Sequence, residues 1–282
     1  MTSEKAIRTY KEATAIVTGA ASGIGRALAE ELANSDCEVI LADRQIDLAE
    51  EVASGIRTSG AKAKAQELDV TDFPAVEQLI RETVSRTGRL DYIFNNAGIA
   101  IGGNVADLEI EHWNQVIDVN LRGVINGVHA AYPVMIEQGF GHIVNISSLA
   151  GLMPTPGYAP YGTTKHALIG LSQSLRAEAS SMGIRVSVVC PGVIRTPILE
   201  GGKFGKFVNM SKADARRMLY FLDKGNPMEP RDFAAKVLNQ IAKNKAIILV
   251  PSKIKLLWLI QRLSPSLGIF LAQKNFQKTR RG

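Results

Sequence analysis

The sequence predicts an α/β fold: a doubly wound parallel sheet of about seven strands, with helices on both faces. Three observations predict it. Short β-branched runs that are almost continuously apolar recur along the chain, as strands buried on both faces require. They alternate with longer segments whose apolar residues repeat at helical spacing. A glycine-rich turn joins the first run to the first helix. No linker interrupts the alternation, so residues 1–250 are expected to form one domain, followed by an apolar and basic extension over 251–282.

The elements follow in order. Residues 14–18 (TAIVT) read as a buried strand, and 24–35 as a helix with Ile24, Leu28 and Leu32 on one face. Strand two is 38–43 (EVILAD), followed by a helix over 46–59 that turns Ile46, Ala49, Val52 and Ile56 inward. Strand three is 63–69. Thr71 or Asp72 is placed to cap a helix over 73–87 carrying Val76, Leu79, Ile80 and Val84. Strand four is 91–96. A long helical region covers about 112–138, where Pro133 has to be absorbed as a kink or a junction. Strand five is 141–147, a helix spans about 158–181, and strand six is 184–190. Residues 200–207 are rich in glycine and read as a mobile loop; 211–223 and 230–244 read as helices and 246–250 as a last strand.

Composition narrows the function classes. The 282 residues are 46% hydrophobic, enough for one large core or two small ones. Cys37 and Cys190 stand far apart, match no metal or redox spacing, and read as buried free thiols in a reducing compartment. The four scattered histidines form no zinc pattern. No signal peptide is recognised, and no apolar run reaches the ~18 residues of a spanning helix. The formal net charge of +6 is uneven: residues 1–232 carry −4 and the last fifty +10. With the charge on one tail and no recognised module, nucleic acid is not an expected partner.

The first turn reads VTGAASGIGRAL, with glycines at 19, 23 and 25. Backbone without Cβ lets N–H groups approach a pyrophosphate, and the helix N-terminus adds a favourable dipole. The spacing G-x-x-x-G-x-G departs from the G-x-G-x-x-G dinucleotide fingerprint. An ordinary tight strand-to-helix turn remains the competing explanation. Asp43 closes strand two, where a carboxylate can accept both ribose hydroxyls of an adenosine and repel a 2′-phosphate. That favours NAD over NADP; Arg44 next to it could instead meet a 2′-phosphate, and Ser22 adds no positive charge. A solvated strand end is the plainer account of Asp43.

In YAPYGTTKHA, Tyr161 and Lys165 are four apart and share a helix face, whereas Tyr158 has Gly162 at that offset. A free phenol titrates near pH ~10, and a nearby ammonium favours its ionised form, so the pair could act as a general acid/base couple. Such pairs are also common as surface neighbours. His166 points off that face and reads as structural.

Six motifs then stand in order: TGAASGIG (18–25), NNAG (95–98), Asn120 in VNLRG, NISS (145–148), YGTTK (161–165) and CPGVIRT (190–196). The chain resembles the short-chain dehydrogenase/reductase superfamily, in its main single-domain NAD(P)-dependent branch, over roughly residues 13–197 and more loosely to about 250. The resemblance implies a Rossmann-type sheet and an oxidoreductase acting on CH–OH groups. It implies Tyr161 as the acid/base, Lys165 as the group that lowers the tyrosine pKa and binds the nicotinamide ribose, and Ser148 as donor to the substrate oxygen. Ser148 is preferred over Ser147 because it lies thirteen residues before Tyr161. Asn120 is implied to hold a water linking the lysine to solvent. The implied cofactor contacts are Gly19, Ser22, Gly23, Ile24, Gly25, Asp43, Arg44, Asp69 and Val70 at the adenosine and pyrophosphate. Asn96, Ala97, Gly98, Tyr161, Lys165, Pro191, Gly192, Val193 and Thr196 complete them toward the nicotinamide. No metal is implied. The family's usual dimers or tetramers make a homo-oligomer the expectation. A catalytically silent NAD(H)-binding redox sensor is the alternative, against which the intact Asn120, Ser148, Tyr161 and Lys165 set speaks.

After the Pro-Gly turn come Ile194, Ile198, Leu199, Phe204, Phe207, Met210, Met218, Leu219, Tyr220 and Phe221. These suit a pocket for a hydrophobic alcohol or ketone, steroid-like, fatty or aromatic, as well as they suit simple packing of the loop. Beyond 250, an apolar helical stretch (254–263), a Ser-Pro break, a second apolar stretch (267–272) and a basic end follow. Packing on the body or on a subunit is the preferred reading, with a peripheral membrane helix as the alternative. The expected location is cytoplasmic, with that membrane contact as its variant.

Overall fold

The computed structural model describes residues 7–200, 204–209 and 226–281. Its strands are β1 (Thr14–Thr18), β2 (Glu38–Asp43), β3 (Ala63–Glu67), β4 (Tyr92–Asn95), β5 (Ala100–Gly102), β6 (Gly141–Ile146), β7 (Ile184–Pro191), β8 (Gly205–Phe207) and β9 (Ile247–Val250). The α-helices among the described residues are α1 (Gly23–Asn34), α2 (Ile46–Thr58), α3 (Phe73–Thr87), α4 (Ile110–Ile117), α5 (Gly123–Gln138), α6 (Ala159–Ala179), α7 (Pro197–Glu200), α8 (Pro230–Ala242), α9 (Ile254–Leu263) and α10 (Pro265–Arg281).

Seven strands form one sheet in the order β3-β2-β1-β4-β6-β7-β9, with every neighbouring pair parallel. Side chains alternate across it, as the two-residue period of a strand demands. Ala15, Val17, Val39 and Leu41 face α1, α2 and α8, meeting Leu28, Leu32, Val52, Phe233 and Val237. Ile16, Ile40, Ile93, Ile143 and Val186 face α3, α5 and α6, meeting Leu79, Ile80, Val128, Met135 and Leu168. β3 lies at the sheet edge and is half exposed, which explains its polar sequence AKAQE.

The expected elements hold, with shifted ends. β3 stops at Glu67 rather than 69, which frees Asp69 to turn toward Thr71. Asp72, not Thr71, caps α3, its Oδ1 accepting from the Ala75 N–H at 3.3 Å. The long central helix begins at Ile110 and contains a π-helical turn over Asp118–Arg122. Pro133 sits inside α5, which continues to Gln138. Residues 205–207 of the glycine-rich segment form β8, paired in parallel with β5 as a small second sheet. That corrects the reading of 200–207 as a mobile loop for these three residues. Residues 201–203 and the helix expected over 211–223 lie outside the described residues. Cys37 and Cys190 are buried and free.

The chain reverses its direction of strand addition between β1 and β4, so a crevice opens at their carboxyl ends. The tail is tied in beside it. Ile254 is buried with Ile169, Val188, Cys190 and Leu249, and Trp258 packs on that cluster.

Candidate active site

A cavity of about 520 Å³ lies along the carboxyl ends of the strands. At one end it is lined by Gly19, Ser22, Gly23, Ile24, Asp43, Arg44, Asp69 and Val70. Gly19 has φ +66°, and a Cβ there would lie 2.8 Å from Ala97 Cα, so the turn and the 96–98 loop close on each other without side chains between them. Asn96 welds the two: its side-chain amide donates to the Thr18 carbonyl at 2.9 Å and the Gly19 carbonyl at 3.2 Å. Gly25 does not line the cavity. A Cβ there would sit 2.1 Å from the Gly19 carbonyl oxygen, so the missing side chain lets α1 pack closely behind the turn.

The Asp43 carboxylate is held by two backbone donors, Ala21 N–H at 3.0 Å and Gln45 N–H at 2.9 Å. Arg44 reaches to 4.0 Å from Asp69 Oδ2. Burial raises the Asp69 carboxyl, but the Thr71 N–H and hydroxyl and the Arg44 charge outweigh it and bring it below the usual value. The α1 N-terminus, where Ser22 makes no side-chain cap, presents uncapped N–H groups to this end of the cavity. Bare glycine backbone, helix N–H groups and a fixed carboxylate are the donor and acceptor set that a dinucleotide requires.

The middle of the cavity carries Asn96, Ala97, Gly98, Ser148, Tyr161, Lys165, Pro191, Gly192, Val193 and Thr196. Ser147 and Ser148, adjacent at the end of β6, part company. Ser147 is buried and donates to the Lys165 carbonyl at 2.7 Å, a structural tie to α6. Ser148 is less buried, lines the cavity beside Tyr161, and accepts from the Ala150 N–H at 3.1 Å through its Oγ. Lys165 is buried, its Nζ donating to the Ile146 carbonyl at 2.9 Å and standing 5.5 Å from the Tyr161 ring centroid. Burial lowers the Lys165 ammonium to about 8, against a smaller opposing effect of Cys190. Burial also holds the Tyr161 phenol above its ordinary value, and the neighbouring Ser148 hydroxyl pulls it back. In this geometry desolvation is the largest effect on the Tyr161 phenol, with the Lys165 ammonium bonded to the Ile146 carbonyl and standing over the ring.

Asn120 lies in the π-helical turn and is fully buried. Its Oδ1 accepts from the Ile99 N–H and its Nδ2 donates to the Ile99 carbonyl, both at 2.8 Å. It stands behind Gly98, where an added Cβ would come within 3.2 Å of Asn120 Oδ1 and 3.6 Å of Lys165 Nζ. It braces the cavity wall rather than lining it.

At the far end Tyr158 lines the cavity and meets the Phe207 ring edge-on, with centroids 5.9 Å apart. Burial raises its phenol. Ile194, Ile198 and Phe204 also line the cavity, while the side chain of Leu199 and residues 210–221 lie outside the described set. Sequence reasoning missed Ile99, Met153, Pro154, Thr155 and Leu257 on this wall. Met153–Thr155 follow the NISS motif closely enough to have been suspected. Leu257, far along the chain, carries no signal. His166 bonds the Gly162 carbonyl through Nδ1 at 2.8 Å and stays outside the cavity.

Residues 13–203 match the sequence model for short chain dehydrogenases. SadH of Mycobacterium tuberculosis is 34% identical over 260 residues, covering 91% of this chain and 92% of that protein. An uncharacterized oxidoreductase of Staphylococcus epidermidis is 35% identical over 196 residues, 70% of this chain and 84% of its own length. Among solved structures, a short chain dehydrogenase/reductase of Burkholderia phymatum in complex with NAD superposes with a TM-score of 0.84 at 27% identity, covering 92% of this chain and 96% of that one.

Proposed function

The chain belongs to the short-chain dehydrogenase/reductase family, and from that premise we propose that it interconverts a secondary alcohol and a ketone, with NAD(H) preferred over NADP(H) and a hydrophobic substrate. One observation carries the reading. Ser148, Tyr161 and Lys165 share the wall of a single cavity whose other end holds the glycine turn and Asp43.

The residues divide the work. The backbone of Gly19 and Ser22–Ile24 would hold a pyrophosphate, Asp43 the adenosine ribose hydroxyls, and Asp69 with Val70 the adenine. Asn96–Gly98, Lys165, Pro191–Val193 and Thr196 would hold the nicotinamide half. A bound nicotinamide supplies the hydride donor or acceptor. Tyr161 takes the hydroxyl proton of an alcohol when ionised, or gives a proton to a ketone oxygen when neutral. Ser148, on the same cavity wall as that phenol, steadies the same oxygen as its charge develops. Lys165 is a buried cation beside the ring and favours the ionised phenol against the effect of burial. Met153, Pro154, Tyr158, Ile194, Ile198 and Phe204 make the substrate end apolar, which favours steroid-like, fatty or aromatic alcohols over sugars.

The test is a panel of secondary alcohols from these classes, with sugars as controls, assayed with NAD and NADP side by side by nicotinamide absorbance. NAD-linked turnover of apolar alcohols is expected. Turnover of sugars alone would overturn the substrate class. Tight cofactor binding without turnover would instead mark a redox sensor.

A further inference from the structure

Fourteen large apolar side chains are exposed among the described residues, and eight of them fall between 256 and 271, on α9 and α10. Leu256 is 64% exposed, Leu263 76% and Phe270 57%. A concentration of this kind on a short stretch of chain marks a surface meant to be covered. The two helices are not loose: Ile254 and Trp258 anchor α9 to the body. Gly268 lets the helices cross closely, since a Cβ there would overlap the Gln261 side chain.

The face is also basic. No acidic residue follows Asp232, whereas Lys255, Arg262 and Lys274 are exposed on these helices and Lys278, Arg280 and Arg281 end the chain. We propose that the surface formed by α9 and α10 docks on an anionic lipid bilayer and seats the mouth of the catalytic cavity at the lipid interface. No described helix is long and apolar enough to cross a bilayer, so the helices would lie in the interface plane, apolar side chains inward and cations at the headgroups. A second copy of this chain is the competing occupant. A two-fold contact, however, would set this basic face against itself, while anionic lipid neutralises it.

The position gives the docking a use. Leu257 lines the catalytic cavity and is itself 44% exposed, so the rim of the cavity belongs to this surface. A second apolar groove of about 640 Å³ runs between α10 and the start of α6, and it shares Pro154 and Thr155 with the cavity wall. A lipophilic alcohol dissolved in the bilayer would enter without passing through water. Delivery of substrate rests on the oxidoreductase reading above; docking does not, and is measured separately.

The experiment is co-sedimentation of the full chain with vesicles of phosphatidylcholine alone or mixed with phosphatidylserine, beside its solution mass by light scattering without lipid. Two variants are compared: Leu256→Ser with Leu263→Ser and Phe270→Ser, and Lys255→Glu with Lys274→Glu. All five side chains are exposed, and unchanged thermal unfolding checks that the fold is kept. The wild type should pellet with the anionic vesicles. The apolar variant should lose partitioning by at least about tenfold, and the charge variant should lose the preference for phosphatidylserine. Absence of wild-type pelleting, or pelleting indifferent to both variants, would overturn the proposal. So would a fall in solution mass of the apolar variant, which would make the face a contact between copies.

Discussion

Gly25 sets two opposed effects against each other in one substitution. On helix propensity alone, Gly25→Ala in α1 should stabilise by up to about 1 kcal/mol. The structure reverses the sign. The new Cβ would stand 2.1 Å from the Gly19 carbonyl oxygen and 2.5 Å from Asn96 Nδ2. Restoring ordinary contact needs α1 to withdraw by roughly 1 Å, and forced overpacking of this kind costs about 1–3 kcal/mol. Asn96 also risks its bonds to the Thr18 and Gly19 carbonyls, worth about 0.5–1.5 kcal/mol each. The net expectation is a loss of about 2–4 kcal/mol, or a fall in Tm on the order of 3–7 °C for a chain of this size. The control is Gly170→Ala in α6, where an added Cβ meets nothing within 4 Å and the residue is exposed. There propensity acts alone, and a gain of about 0.5–1 kcal/mol is expected. Thermal and urea unfolding of both variants decides the matter. A Gly25→Ala protein as stable as the wild type, or a Gly170→Ala protein that loses as much, would refute the argument from close approach.

Three further outcomes follow from the site. Tyr161→Phe should keep cofactor affinity, read by nicotinamide fluorescence, and lose turnover by about 10²–10⁴-fold; undiminished turnover would remove the proton role. Lys165 is lowered from 10.5 to about 8 by burial, so between those values the unfolded chain holds a proton that the folded chain has lost. Its contribution to stability is therefore complete above pH 10.5 and is lost as pH falls through about 8; the stability of the wild type relative to Lys165→Met should rise across that window, and a flat difference would contradict the burial effect. Asp43→Ser should move the NAD-to-NADP ratio of kcat/KM toward NADP by about tenfold or more, since the carboxylate that opposes a 2′-phosphate is gone. An unchanged ratio would place cofactor choice elsewhere.

Much of the fold was legible because its signals are local. β1, β2, β4, β6 and β7 are rich in apolar residues and buried along almost their whole length since both faces are covered, and their flanking helices carry one apolar stripe each. β5 and β8 were not legible. Each is three residues long, and their pairing joins Ala100 to Gly205 across more than a hundred positions, with no periodicity to announce it. The π-helical turn was hidden for a related reason: one wide turn inside a helical pattern does not disturb the pattern on either side, yet it carries Asn120 onto the Ile99 backbone.

The amino-acid sequence by itself determined the strand order's raw material, the glycine turn, the carboxylate at Asp43 and the pairing of Tyr161 with Lys165 on one helix face. Each of these depends on residue type and on spacing of a few positions. Only the tertiary structure decided what burial does to that pair, because desolvation is set by everything packed around a group and not by its neighbours in sequence. It alone separated Ser148, less buried beside the phenol on the cavity wall, from Ser147, buried and tied to the α6 backbone. It also brought Leu257 to the rim of the cavity that Tyr161 lines, because β9 closes the sheet beside β7 and delivers the tail there.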